Sequence, residues 1–280
     1  MFFPLCSQMI GFHFSRSLVF FCIFFIGGAF FLFNESSGPQ LDVAFQSPGF
    51  SHGLLYSLGA DSLGRPLLER SLVAFFISWA LGLGAASLAL FLGLFLGILM
   101  GLWRGWFDLL MMRLIEALDS LPTFMILVLW ILVWMGESGV ASIGAYFWLV
   151  VGMGLLQWRQ FARIAQNEVV AEGAKLYVEA ALATGVSPSR LIWHHLFPNI
   201  WPQVRIQFWV SLPSFVMGES VVSFLGFGLQ PPLVSLGTLL SEGWAYFSIY
   251  PHLMLVPGLM LCFGLLSLQF ATIRPRSRGR

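Results

Sequence analysis

From Leu72 to Leu102 the chain runs through apolar residues without a charged interruption, and a helix needs only about 20 such residues to cross a bilayer. That one run decides what kind of solvent the chain folds in. The composition agrees: 58% of the 280 residues are hydrophobic and 10% are charged, with a mean hydropathy of +0.84. Soluble domains carry about a quarter charged residues, and disordered chains are poor in apolar ones, so both classes are excluded. Further apolar runs lie at 17–33, 109–135, 143–156, 202–224 and 252–271, which with the first makes six expected spans in an all-α membrane protein.

The expected organisation is a short N-terminus at 1–16, a first helix at 17–33, and a Ser-, Gly- and Pro-rich loop at 34–71. A five-helix core at 72–271 follows, carrying a polar segment at 157–199, and a basic tail at 272–280 ends the chain. Gly27 and Ala29 would suit a signal-peptidase site, but the apolar run continues to Phe33 and favours an uncleaved first helix. With six spans, all of the fourteen Lys and Arg except Arg65 and Arg70 fall on the side that holds both termini. Lys and Arg gather in cytoplasmic loops, so both termini are expected in the cytoplasm of a cell bounded by this membrane. The tail Arg274 to Arg280 then reads as a topological anchor and not as a nucleic-acid site. Cys6, Cys22 and Cys262 have no metal or disulfide spacing.

Single helices carry finer signals. Ala85, Ala89, Gly93, Gly97 and Gly101 recur every four residues, which places them on one helix face. Lipid gives helices no hydrophobic reason to associate, so a small-residue face lets backbones approach closely. Packing within the bundle and packing against another subunit both fit it. The third run opens on Asp108, Arg113, Glu116 and Asp119. Arg113 and Glu116 can pair at a spacing of three, and Pro122 is expected to kink the span. In the fifth run Gln203, Gln207, Ser211, Ser214 and Gly218 form a polar and small stripe. Such a stripe should face the bundle interior or a water-filled path. Beside its far end stands Glu219, either a functional group inside the membrane or a local cap.

The polar segment is the most informative. Lys175 to Ala183 favours helix, Gly185 suits a left-handed helix end, and Ser187-Pro188 reads as a cap with proline at the first helical position. A second helix follows through Leu196 and is expected to stop at Pro198. A helix-turn-helix with one apolar side calls for something to cover that side, either a partner protein or the chain's own bundle.

At Glu179-Ala180-Ala181, Gly185 and Phe197-Pro198 the sequence resembles the permease subunits of ATP-binding cassette importers. More narrowly, Tyr177 to Ala181, His195 to Asn199, Asp61-Ser-Leu-Gly-Arg65, Met112-Arg113 with Pro122, and Glu219 to Pro232 resemble the second permease of the peptide and nickel branch. The sequence departs from that pattern at Pro66, Glu116, Val234 to Leu236 and the C-terminal region. The resemblance implies the type I permease fold with six spans and a cytoplasmic coupling loop. It also implies a second permease, two ATPase subunits and an extracytoplasmic solute-binding protein as partners. Glu179, Ala180, Ala181, Gly185, Ser187, His195 and Pro198 would then couple the chain to an ATPase, with Gln207, Ser211, Ser214 and Glu219 along the substrate pathway. No cofactor is expected in this chain: it has no Walker-type phosphate loop, so ATP would be bound by partners. The adjacent His194 and His195 point about 100° apart on a helix, no Glu-x-x-His array occurs, and an embedded metalloenzyme is not expected. A channel or assembly factor without ATP coupling is the alternative, and copurification with a soluble ATPase separates the two.

Overall fold

The computed structural model describes residues 41–49, 56–135, 143–228 and 233–272. The expected first span at 17–33 and the tail beyond Thr272 lie outside them. Among the described residues all regular structure is helical, apart from an isolated bridge between Ala60 and Pro66. The helices are α1 (Leu67–Leu102), α2 (Trp106–Asp119), α3 (Thr123–Met135), α4 (Ile143–Gly173), α5 (Leu176–Ala183), α6 (Pro188–Leu191), α7 (Phe197–Phe224), α8 (Leu236–Ala245) and α9 (His252–Thr272). A π-helical turn at Ile192–Leu196 joins α6 to α7. Helix α1 and the stretch His252–Phe270 are each long and apolar enough to cross a membrane.

Two expectations are corrected, and one helix runs on past its apolar run. The third span, expected as one kinked helix over 109–135, is two helices meeting at 87°. Pro122 lacks an N–H, and its ring opposes the carbonyl four residues earlier. Accordingly α2 closes with the Ser120 N–H on Glu116 O, and a new helix starts on Pro122 O, which accepts from the Met125 N–H at 2.9 Å. The polar segment expected from Gln157 onward is helical as far as Gly173. There Trp158, Phe161, Ala162, Ala165 and Val169 repeat at helical spacing and are buried, so one apolar face carries the helix through polar sequence. Pro198 does not stop the second arm. The π turn directly before it, closed by the Phe197 N–H on Ile192 O, re-spaces the carbonyls that a proline would oppose, and α7 continues.

The chain divides into two compact units, cut within the helices. In the unit made of 83–137 and 147–215, the small-residue face of α1 lies on α4. A Cβ added at Gly97 would stand 2.5 Å from Ala162 O, and one at Gly101 2.6 Å from Val169 Cγ1. Ala85 and Ala89 on the same face are fully buried. Helix α2 covers this pair through Ile115, which packs with Met100, Trp158 and Ala162. Helix α3 holds α4 through Trp130, whose indole N–H donates to Trp148 O at 2.9 Å.

In the other unit, the first turns of α1, the end of α7, α8 and α9 enclose Trp79, Phe215's neighbour Val216, and Leu236. Gly264 of α9 lets the Phe75 and Trp79 rings approach: an added Cβ would meet them at 2.7 and 3.0 Å. Gly243 of α8 does the same for the backbone of Leu253. Before α1, Asp61 folds the Asp-Ser-Leu-Gly-Arg stretch. Its Oδ1 accepts from the Leu63 and Arg65 N–H groups at 2.9 and 2.8 Å, and Gly64 takes a φ of +75°. Its other oxygen accepts from Arg65 Nε at 2.9 Å and Arg70 Nη1 at 2.6 Å. Arg70 in turn donates to Glu242 of α8. One turn motif thereby ties the loop to both helices.

Candidate functional site: a capped helix-turn-helix

Helix α5 ends where Gly185 adopts a φ of +77° and the Val186 N–H reaches back to Ala181 O at 3.2 Å. Residue, bond and spacing together are the Schellman form of helix end, which favours glycine at its left-handed position. Val186 and Ala181 complete it by packing on one apolar cluster, built from Val169, Val178, Leu191, Leu196 and Ile200, with Leu94, Ile98 and Leu102 of α1 beside it. The turn is therefore set by backbone geometry at one end and by a small core beneath. One side of the helix-turn-helix packs on its own unit. The other is open: Glu179, Ala180, Gly185, Ser187 and Arg190 are exposed, and Leu176 and Trp193 show 82% and 64% of their surface. Trp193, Phe197 and Trp201 follow one another along the second arm: Trp193 is tilted against Phe197 with ring centres 5.4 Å apart, and Phe197 stacks on Trp201 at 5.6 Å. Pro198 is exposed and His195 half-buried.

Polar groups tie the two arms together. Glu172, buried at the end of α4, accepts from Lys175 Nζ and, at 2.7 Å, from the Tyr177 hydroxyl. The Tyr177 oxygen accepts from Asn199 Nδ2 at 2.9 Å, and Asn199 Nδ2 also donates to His195 O at 2.8 Å. Burial pushes the Glu172 carboxyl upward, but the hydrogen bonds from Lys175 and Tyr177 and the lysine charge outweigh it and hold it below its ordinary value of 4.5. Because the folded value is the lower one, the tie is at full strength above pH 4.5 and is lost as the pH falls through the folded value. The spacing of Glu172 and Lys175 is legible in sequence. The meeting of Tyr177 with Asn199, 22 positions apart, is not, because it depends on how the turn folds the arms.

The expected pathway residues are placed separately. Gln207 is half-buried and donates to Gln160 Oε1 at 3.5 Å. Ser211 is buried and Ser214 exposed, and both hydroxyls donate to carbonyls of their own helix, Phe208 O and Ser211 O. Glu219 is fully buried. It accepts from Ser223 Oγ at 2.7 Å and Ser220 Oγ at 3.4 Å, with Ser78 and Ser235 also bonded to the carboxyl. Ser235 is at the same time the N-cap of α8 in a capping box with Thr238, and Ser78 accepts from the Leu236 N–H. No sequence pattern marked Ser78, and Ser235 stood out only as part of the departure at Val234 to Leu236. On α4, Arg159 and Arg163 both bind Asp119 at the end of α2 at 2.8 Å, and Arg159 also donates to Thr123 Oγ1 at the start of α3 at 3.2 Å. The Arg113–Glu116 pair forms at the surface at 2.9 Å.

Among the described residues the chain is helical, with apolar spans and a half-covered helix-turn-helix. Residues 93–274 match the family described as binding-protein-dependent transport system inner membrane component, and the chain belongs to that family. It is 30% identical over 240 residues to the oligopeptide transport system permease protein OppC of Haemophilus influenzae, covering 86% of this chain and 73% of the relative. To the OppC protein of Escherichia coli it is 38% identical over 212 residues, covering 76% of this chain and 68% of the relative. The inward-facing MetNI methionine ABC transporter shares the fold, with a TM-score of 0.59 at 20% identity over 74% of this chain and 94% of that one. The chain is therefore a multi-pass inner-membrane permease, a component that works in transport with partner subunits.

Proposed function

We propose that this chain is one permease of an ATP-driven importer that moves peptides, or a related solute such as a nickel complex, across the cytoplasmic membrane. The names of its relatives support the peptide class. A second permease, two ATPase subunits and an extracytoplasmic solute-binding protein complete the assembly, and ATP is bound and hydrolysed by the partners. Both termini and the segment 157–199 face the cytoplasm, the loop 34–71 faces outward, and 72–271 forms the transport core behind a first helix at 17–33. Glu179 to Pro198 is the joint that an ATPase grips, with Glu179, Ala180, Gly185 and Ser187 toward the partner.

The observation that carries this reading is the glycine-capped turn with an apolar inner side and an open outer side. Gln207, Ser211, Ser214 and Glu219 belong to the solute pathway, the last through the serines that hold it. The test is Gly185→Asp in the assembled complex. An added Cβ meets nothing within 4 Å there, so the variant is strained in its turn but not crowded. It should insert and assemble, yet lose ATP-driven uptake. Undiminished uptake would refute the joint.

A further inference from the structure

Glu172, Tyr177 and Asn199 form a relay that none of the residues assigned to coupling contains. It connects three elements: Glu172 stands at the end of α4, Tyr177 on α5, and Asn199 in the first turn of α7. The Tyr177 hydroxyl sits at its centre, donating to Glu172 Oε2 at 2.7 Å and accepting from Asn199 at 2.9 Å. A hydroxyl can donate once while accepting, so both bonds coexist. Asn199 adds a bond to His195 O inside the π turn, and Lys175 holds the second carboxylate oxygen. The apolar cluster of Val169 on α4, Val178 on α5 and Ile200 on α7 joins the same elements. Apolar packing resists separation but gives little direction, whereas hydrogen bonds fix angle and register.

We propose that Glu172, Tyr177 and Asn199 are positioning residues that lock the α5 arm to α4 and α7, so that a push on the arm turns both long helices instead of rocking the arm alone. This rests on the coupling role given to the segment above. A joint without the relay would still dock and still permit ATP hydrolysis, but the stroke would be dissipated in local motion. Tyr177→Phe removes only the oxygen and keeps the ring, and Asn199→Ala removes the other link.

The experiment uses the complete importer, copurified with its partners and reconstituted in liposomes. Phosphate release and uptake of a tripeptide mixture are followed together, the peptides being quantified by mass spectrometry. Amide exchange over 172–199 is measured on the same samples. Tyr177→Phe is expected to leave ATP hydrolysis within about twofold of the parent while peptide moved per ATP falls about tenfold, as a hydrogen bond to a charged group would allow. Exchange across 176–187 should accelerate by a similar factor. Because the two links act as one chain, the double variant should be no worse than either single variant. An unchanged ratio of peptide to ATP, or exchange losses that simply add, would overturn the proposal. If Gly185→Asp abolishes uptake while Tyr177→Phe leaves the ratio intact, the relay fails and the coupling role stands. If Gly185→Asp has no effect, the coupling role fails first. Amide exchange needs no solute and decides the relay even for an importer that moves none of the tripeptides.

Discussion

Glu219 shows how a single side chain can be obvious in sequence while its partners are not. A carboxylate within an apolar run announces itself, because burying it without partners is costly. Its surroundings answer that cost: hydroxyls from Ser78, Ser220, Ser223 and Ser235 converge on it and no surface remains exposed. Two of those serines come from outside α7, and one begins α8, so the carboxylate also organises the entry to that helix. Glu219→Ala should leave these hydroxyls short of an acceptor and cost about 1–3 kcal/mol. Glu219→Gln keeps one acceptor oxygen and should cost less. Thermal unfolding of the purified protein should rank the parent above Gln and Gln above Ala. An Ala variant as stable as the parent would remove the cage from the account.

Among the helices, the α1–α4 pair shows what small residues do in a membrane. Gly97 and Gly101 are not points of freedom but points of contact, where α4 comes too near for any side chain. Gly97→Leu would drive four carbons toward the Ala162 carbonyl, a backbone atom that cannot swing aside. Overpacking of this kind typically costs about 1–3 kcal/mol, or more where backbone must move. Gly173→Leu, at a position where an added Cβ meets nothing within 4 Å and the backbone is not left-handed, crowds no neighbour and serves as the comparison. Chemical unfolding in detergent should separate the two positions clearly; equal losses would mean that α1 and α4 are not in intimate contact. Helices α2 and α3 make the complementary point. Their apolar content reads as one span, yet Pro122 divides them, and the α2 half is amphipathic where the α3 half is apolar throughout.

For the molecule as a whole, the distribution of Lys and Arg is a statement about sidedness. Cysteine placed at Ser187, exposed on the turn between the arms, should react with an impermeant maleimide only from the cytoplasmic side. Cysteine at Ser248, exposed beyond α8, should react only from the outside. Labelling of both positions from the same side would reverse or abolish the proposed topology. The same chain-wide pattern also bears on partners: the open flank that carries Leu176 and Trp193 lies on the segment proposed to face the cytoplasm.

Much of this was legible from residue order alone, because the quantities involved are local. Apolar run length, the four-residue recurrence of Ala85 to Gly101, the positive charges and the Gly185 turn each follow from spacing along one chain segment. So did the family, through short motifs whose residues are neighbours. What needed the folded molecule were features made by residues far apart in sequence. The Tyr177–Asn199 link, the serines from three helices around Glu219, and Arg70 bridging Asp61 to Glu242 have no local signature, since a hydrogen bond records where two atoms arrive and not how far apart they lie in sequence. The same holds for the failure of Pro198 to end a helix. A wider, π-helical turn closed by the Phe197 N–H on Ile192 O precedes that proline, and nothing in residue order announces it.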